Sequence, residues 1–141
     1  MEKAMVMERP TADQLEGGGR ILFVEDEVEV LAIGKEMLEE AGHTVFSANS
    51  GPAALALAKQ VGGAIDVLVT DVVMPKMSGP ELADELLSQY PHLKVLFMSG
   101  MAGRTLMSHG RPVAGSHLLH KPFTAEELNR RVRELLIPQS S

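Results

Sequence analysis

The spacing of hydrophobic residues changes repeatedly between Arg20 and Ile137. Five short apolar runs have the length and composition of strands buried on both faces of a sheet: 21–25, 44–48, 65–71, 94–99 and 116–120. Four longer segments place apolar residues at helical spacing: 27–41, 52–61, 80–90 and 124–136. Strands that alternate with helices over short connections predict a parallel sheet with helices on both faces. We therefore expect an α/β fold with a doubly wound, five-stranded parallel sheet of the flavodoxin-like (βα)5 type.

Local signals set the expected helix ends. Pro52 suits the first turn of the second helix, and Gly62 and Gly63 end that helix. Thr124 and Glu127 form a capping-box pattern before the last helix. The apolar stripes that we expect to face the core are Val30, Gly34, Met37 and Ala41 widened by Leu31 and Leu38; Leu82, Leu86 and Leu87; and Leu128, Val132, Leu135 and Leu136.

Three segments lack a clear hydrophobic period. Residues 1–19 are polar and end in three glycines, so we expect a flexible linker or tail ahead of one domain at 20–137. Residues 138–141 are expected to form a C-terminal tail. Between Gly100 and Gly115, glycine and proline interrupt a weak pattern, which predicts a fourth helix that is short or irregular.

The composition narrows the class of protein. A chain of 141 residues with 45% hydrophobic residues suits one globular domain with its own core. With no cysteine, it has no disulfide and no thiolate metal site. No apolar run reaches the roughly 18–20 residues of a membrane span, and no secretory signal is visible, so we expect a cytoplasmic domain. A net charge of −6 and only 4% aromatic residues argue against direct binding of nucleic acid.

Polar residues follow four of the five predicted strands. They are the run Glu25-Asp26-Glu27, the single residues Asp71 and Ser99, and the run His120-Lys121-Pro122. In a doubly wound sheet the carboxyl ends of the strands meet at one edge, where such folds bind their ligands. We therefore expect two or three carboxylates, one hydroxyl and one ammonium group in a single site.

This set of residue types restricts the chemistry. Clustered carboxylates resist joint ionisation unless a cation neutralises them, and an all-oxygen set favours a hard ion such as Mg²⁺. The Lys121 ammonium suits a phosphate oxygen or a carboxylate. An aspartate beside a metal ion and a lysine can itself act as a nucleophile and form an aspartyl phosphate.

Four separated motifs resemble those of the response-regulator receiver domains, the CheY-like family. They are "VED" at 24–26, "TDVVMPKMSG" at 70–79, "MSG" at 98–100 and "KPF" at 121–123. The resemblance covers about residues 20–137, and the motifs occur in the family's order at the expected strand ends. It implies a phosphoacceptor domain of a two-component phosphorelay.

The resemblance also implies a role for each matching position. Asp71 corresponds to the phosphoacceptor, and Glu25 and Asp26 correspond to the acidic pair that holds Mg²⁺. The backbone carbonyl of Val73 corresponds to a further metal ligand. Ser99 matches the switch hydroxyl, and Lys121 matches the lysine that contacts the phosphoryl group. The Lys121–Pro122 bond is expected to be cis, a minority state for X–Pro bonds.

The chain departs from the family at Leu118. Receivers commonly carry tyrosine or phenylalanine three residues before the lysine, as a rotating ring coupled to the switch hydroxyl. Leu118 leaves the chemistry at Asp71 unchanged but supplies no such ring. The wording "VLFMSG" and "LLHKPFTAEEL" is similar to receivers at the C-terminus of hybrid sensor histidine kinases. The implied partner is a histidine kinase or a histidine phosphotransfer domain, which can belong to the same parent chain.

Other interpretations compete with a phosphorylated switch. An aspartate-nucleophile phosphohydrolase would typically have a second acid two positions after the nucleophile, where this chain has Val73. A receiver-like interaction module that is never phosphorylated is a further alternative. A flavin carrier is disfavoured because the loop after the first strand is acidic, where a phosphate cradle would be needed. We expect a switch that catalyses its own phosphorylation and no turnover enzyme.

The remaining polar residues have simpler expected roles. Glu27 is interpreted as an acid that favours the first helix turn, and Gly79 as a requirement of the backbone after Met77. Five histidines lack metal-ligand spacing and are interpreted as surface or loop residues, with His120 of most interest beside Lys121: His43, His92, His109, His117 and His120.

Overall fold

The computed structural model describes residues 18–100, 107–108, 111–112 and 117–137. Its strands are β1 (Arg20–Val24), β2 (Thr44–Ala48), β3 (Val67–Asp71), β4 (Lys94–Ser99), β5 (Met107–Ser108), β6 (Arg111–Pro112) and β7 (Leu118–His120). Its helices are α1 (Val28–Glu40), α2 (Gly51–Gln60), α3 (Gly79–Gln89) and α4 (Ala125–Leu136). None of these helices combines the length and the apolar character needed to cross a bilayer.

Five strands form one parallel sheet in the order β2-β1-β3-β4-β7. The register is nearly level at the carboxyl ends: Val24 pairs with Thr70, Asp71 with Met98, and Ser99 with His120. The strand order reverses direction between β1 and β3. Doubly wound sheets bind their ligands in the crevice at such a point. The predicted fold class is therefore confirmed.

The core lies on both faces of the sheet because alternate residues of each strand point to opposite sides. On one face, Leu22, Val24 and Leu68 pack against apolar residues of α2 and α3 such as Ala54 and Leu82. On the other face, the intervening strand residues pack against α1 and α4; this cluster includes Ile21, Phe23, Val67, Val69, Leu38, Leu128 and Val132. Burial on both sides explains why the strands read as continuous apolar runs.

Most helix boundaries follow the sequence signals. The Thr124–Glu127 capping box is present in both directions, and Ser78 with Glu81 forms a second one before α3. The stripes are buried or half-buried as expected except for Ala41, which is exposed as the C-cap residue of α1. Two strands are shorter than predicted, because the central strand β3 begins at Val67 and the edge strand β7 at Leu118.

Two predictions differ from the structure: the helix expected between Gly100 and Gly115, and the exposure of His43. In the segment from Gly100 to Gly115, β5 and β6 pair as antiparallel strands, so these residues are not helical; the rest of the expected fourth helix lies outside the described residues. His43 lies in the connection before β2 as expected but is buried, with 7% of its surface exposed. Its Nδ1 accepts a hydrogen bond of 2.9 Å from the Gly19 amide. This bond links the residue before β1 to the loop that follows α1.

Gly34 allows α1 to lie directly against the sheet. A Cβ atom at this position would overlap the ring of Phe23, which is fully buried. We expect Gly34→Ala to lower the free energy of unfolding, because overpacking costs about 1–3 kcal/mol whereas the helix propensity of alanine returns only about 1 kcal/mol. Urea unfolding of Gly34→Ala and of Glu36→Ala, an exposed position on the same helix, measures this difference. A Gly34→Ala variant as stable as the Glu36→Ala control would contradict the packing argument.

Candidate functional site

Three carboxylates meet at the carboxyl edge of the sheet. Glu25 follows β1 and is fully buried, Asp26 comes next and is half-buried, and Asp71 ends β3 with 9% of its surface exposed. One carboxylate oxygen from each lies within 4.8 Å of the others. Adjacent parallel strands with level ends bring these residues together, as the sequence predicts.

Lys121 supplies the positive charge in this cluster. It follows β7 at the far side of the sheet, and its Nζ lies 2.7 Å from Glu25 Oε1 and 3.4 Å from Asp71 Oδ2. The Lys121 side chain is 18% exposed, so both ion pairs are only partly screened by water. The peptide bond between Lys121 and Pro122 is cis, as expected.

The backbone around Asp71 is held by several hydrogen bonds. The Val72 amide donates to Asp71 Oδ1 at 3.0 Å, and the Thr70 hydroxyl donates to the Asp71 carbonyl at 3.0 Å. The Gly79 amide donates to the Val72 carbonyl at 2.8 Å and closes the loop that follows β3. These bonds fix the direction in which the carboxylate points.

Gly79 is required by the backbone as expected, through close approach rather than through a positive φ. Its φ is not in the left-handed region, and the positive φ of this loop, 74°, belongs to Lys76. A Cβ at Gly79 would instead collide with the carbonyl oxygen of Asp71. Close approach of the first turn of α3 to the Asp71 carbonyl therefore requires glycine there.

The other predicted site residues lie around this centre. Ser99 ends β4, one residue beyond the partner of Asp71, and its carbonyl accepts a hydrogen bond of 2.9 Å from the Lys121 amide. Val73 lies in the loop after β3 with its side chain 58% exposed, which leaves only its backbone for a role in the site. The assignment of functions to these residues stays a prediction.

Leu118 is part of the core rather than of the reactive edge. It pairs with Phe97 of β4, is half-buried, and packs against the cluster on the α2–α3 face. Its carbonyl accepts a hydrogen bond of 2.8 Å from Arg131 on α4. This hydrogen bond therefore links the backbone of β7 to a side chain of α4.

Glu27 belongs to the polar run after β1 that the sequence indicates, but its contact with Lys121 goes beyond the expected role in the first helix turn. It is the N-cap of α1, but its side chain makes no capping hydrogen bond. Its Oε1 instead lies 3.8 Å from Lys121 Nζ, and its amide donates to Glu25 Oε2 at 3.0 Å. An acid in a first helix turn usually signals only the helix dipole, so the contact depends on where β7 brings Lys121.

Burial and charge act against each other on these groups. Desolvation raises the pKa of Asp71, and the nearby Lys121 only partly reverses this. Burial also raises the pKa of Glu25, with the Asp71 charge adding to the effect and Lys121 opposing it. The pKa of Lys121 is raised: burial alone would lower it, but its ion pairs with Glu25 and Asp71 outweigh that cost. The cluster carries more negative charge than Lys121 neutralises.

The donor set suits a hard divalent cation. Three carboxylates with oxygens within 4.8 Å of one another offer only oxygen ligands, which Mg²⁺ prefers. Lys121 lies on one side of Glu25 and Asp71. Asp26 is only half-buried, so an ion could reach its carboxylate from solvent. These residues therefore fit Mg²⁺, which would reduce the repulsion described above.

Comparison with known proteins identifies the family. The profile of the family described as "Response regulator receiver domain" matches residues 21–133, which is most of the chain. The chain therefore belongs to the response regulator receiver domains of two-component systems.

Individual relatives show which kinds of receiver this chain is similar to. The sensor kinase CckA of Brucella abortus is 39% identical over 91% of this chain, although the chain spans only 14% of that kinase. The receiver protein CpdR of Brucella abortus is 31% identical over 84% of this chain and 97% of its own length. The crystal structure of the receiver domain of the hybrid histidine kinase CckA covers 84% of this chain at 35% identity, with a TM-score of 0.70. The chain is thus similar to receivers of hybrid kinases and to a receiver whose own length it almost fully spans.

The raised pKa of Asp71 predicts how stability depends on pH. Because the folded pKa lies above the unfolded value, the folded state holds its proton more tightly, and stability falls as the pH rises through the folded pKa. In EDTA, we expect Asp71→Asn to be more stable than the wild type at about pH 7, on the order of 1 kcal/mol, since it removes a buried charge from the cluster. This advantage should shrink towards pH 4.

Urea unfolding at several pH values measures this effect, and Glu36→Gln on the exposed face of α1 is a control with the same change in charge. A destabilised Asp71→Asn at neutral pH, or an advantage equal to that of Glu36→Gln at every pH, would contradict the expected burial effect.

Proposed function

We propose that this domain accepts a phosphoryl group on Asp71 from a phosphohistidine of a histidine kinase or a histidine phosphotransfer domain. The observation that supports it most directly is the position of Lys121, which lies within 4 Å of both Glu25 and Asp71 beside a three-carboxylate cluster. Membership in the receiver family supports the same reaction. Phosphoryl transfer requires mainly positioning and charge neutralisation, which these residues supply.

The proposed step exchanges one bond to phosphorus for another. An Asp71 carboxylate oxygen forms the new P–O bond while the P–N bond to the donor imidazole breaks. The bonding electron pair stays on the imidazole nitrogen, and the product is an acyl phosphate. The hydrogen bond from Val72 to Asp71 Oδ1 leaves Oδ2, the oxygen nearest Lys121, as the attacking atom.

Each neighbouring residue has a role in this proposal. Glu25, Asp26, Asp71 and the Val73 carbonyl would hold Mg²⁺, which when bound neutralises charge on the transferred phosphoryl group. Lys121 would move from Asp71 to a phosphoryl oxygen while it keeps its 2.7 Å contact with Glu25. Ser99 would donate its hydroxyl to another phosphoryl oxygen.

The output would be a change at the surface formed by β4, β7 and α4. Movement of Ser99 and Lys121 towards a phosphoryl group would pull on the hydrogen bond between the Lys121 amide and the Ser99 carbonyl, and also on β7. Because Leu118 provides no rotating ring, we assign the transmission to β7 itself, whose Leu118 carbonyl accepts a hydrogen bond from Arg131 of α4. Phosphorylation would then act as a local charge change with a remote effect.

An apolar groove next to Lys121 fits the partner that donates the phosphoryl group. The groove has a volume of about 360 Å³ and is lined by Glu27, Val30, Ile33, Met37, Lys121, Pro122 and Phe123. Ile33 is 52% exposed, so it presents apolar surface in this groove to a partner. A histidine-bearing helix that packs its apolar side into this groove would present the phosphohistidine near Lys121 and Asp71.

A phosphohydrolase is not favoured. The position two residues after Asp71, where such enzymes place a second acid, holds the exposed Val73. We therefore keep the proposal of a switch whose only catalysis is its own phosphorylation and slow dephosphorylation. A cytoplasmic location remains a prediction from the sequence.

We expect the wild-type chain to take up one phosphoryl group from acetyl phosphate when Mg²⁺ is present. Intact-mass spectrometry measures the adduct, which should disappear with EDTA and in Asp71→Asn. Lys121→Met should reduce the rate of labelling by more than tenfold, because it removes the only cation within 4 Å of Asp71 among the described residues.

The outcomes separate the candidate functions. Phosphate release over many turnovers per chain would favour a hydrolase. A folded wild type that binds Mg²⁺ and takes up no phosphoryl group would favour an interaction module and contradict the proposal.

We further expect Ile33→Glu to slow transfer from a phosphorylated histidine kinase that labels the wild type, by about tenfold, since a charge in the groove opposes apolar packing. Labelling by acetyl phosphate should be nearly unchanged, because this small donor needs no groove. Ala32→Glu adds the same charge at an exposed neighbouring position outside the groove and should transfer normally. Equal loss in both variants, or loss with acetyl phosphate as well, would exclude the groove as the docking surface.

A further inference from the structure

Glu27 faces the proposed reaction centre rather than its own helix. Among the residues that the structure describes, three carboxylates lie within 4.0 Å of Lys121 Nζ, and Glu27 is the outermost, at 3.8 Å with 67% of its side chain exposed. Its side chain does not cap α1, so helix formation does not explain its orientation. Its backbone amide bonds to Glu25, which fixes where the side chain starts.

Glu27 also lies on the solvent side of Lys121. It lines the apolar groove together with Lys121, Pro122 and Phe123, and its side chain is 67% exposed whereas that of Lys121 is 18% exposed. By contrast, Glu25 is fully buried and Asp71 nearly so. Among the acids around Lys121, Glu27 is therefore the one that a free donor in solution meets first.

The charge balance of the centre makes this acid important. The centre contains four carboxylates, those of Glu25, Asp26, Glu27 and Asp71, and one lysine. A bound Mg²⁺ would still leave this group with one net negative charge, and without Glu27 the group would be neutral. Small phosphoryl donors are anions, so a net negative centre repels them before reaction.

We propose that Glu27 is a specificity-determining residue that slows phosphorylation of Asp71 by free anionic phosphoryl donors. The inference rests on the proposed function of Asp71. A protein donor gains binding energy in the groove, which offsets the repulsion, whereas a small metabolite-sized donor has no such contacts. Glu27 thus favours a docked partner over phosphoryl compounds in solution.

The test compares charge-matched variants in the full chain. At low ionic strength and saturating Mg²⁺, we expect Glu27→Gln to raise the second-order rate of labelling by acetyl phosphate about threefold to tenfold. Glu29→Gln removes the same charge from the same exposed helix turn, but Glu29 is not among the acids within 4.0 Å of Lys121, so its rate should stay within about twofold of the wild type.

Two further measurements distinguish electrostatic repulsion from a change in structure. The gain in Glu27→Gln should shrink at 1 M salt, where the Debye length is about 3 Å. It should also be smaller with phosphoramidate, which carries less net negative charge than acetyl phosphate at neutral pH. A structural role for Glu27 would change neither the salt dependence nor the preference between donors.

Each outcome decides the inference. A Glu27→Gln variant that reacts no faster than the wild type, or a Glu29→Gln variant that gains equally, overturns it while the proposed function stands. A gain that does not depend on salt or donor charge also overturns it. If the folded wild type accepts no phosphoryl group from either donor, the proposed function fails first and the inference fails with it.

Discussion

The ion pairs of Lys121 are the contacts on which the rest of the site depends. Glu25 is fully buried, and a buried carboxylate without a partner would cost several kcal/mol, on the order of 3–5 kcal/mol for a broken buried pair. The 2.7 Å contact with Lys121 offsets that cost and also directs the ammonium towards Asp71. The two partners follow β1 and β7, so the contact requires β3 and β4 to pair between these strands. Folding and the candidate site are coupled through this one side chain.

The sheet contributes rigidity rather than chemistry. Thr70, Val72 and Gly79 hold the backbone around Asp71 by hydrogen bonds and by close approach of α3. The acids that remain accessible, Asp26 and Glu27, lie outside this fixed frame. Under the proposed function, this site would change its net charge on binding a cation or a phosphoryl group without rearrangement of its support. The response would then travel through Ser99, which ends β4, and Lys121, which follows β7.

Family membership and structure address different questions about that response. The receiver family and the similarity to the CckA receiver define the fold and the class of signalling system. They do not define how this domain reports its state, because Leu118 is packed in the core where the family commonly has an aromatic ring. The hydrogen bond from the Arg131 side chain to the Leu118 carbonyl offers a connection between α4 and the backbone of β7. Such a connection does not require a ring that changes its rotamer.

The sequence alone determined the alternation of strands and helices, since burial on both faces imposes unbroken apolar runs and helical stripes. It also placed Glu25, Asp26, Asp71 and Lys121 at one edge, because parallel strands share the direction of their carboxyl ends. It could not reveal the burial of His43, the collision that requires glycine at position 79, or the contact between Glu27 and Lys121. Each of these depends on which elements pack together in the folded chain, and local patterns carry no information on which surfaces meet. The packing of α1, α3 and β7 around the end of β3 decided the contacts of Gly79 and Glu27. The approach of Gly19 to the loop after α1 decided the burial of His43.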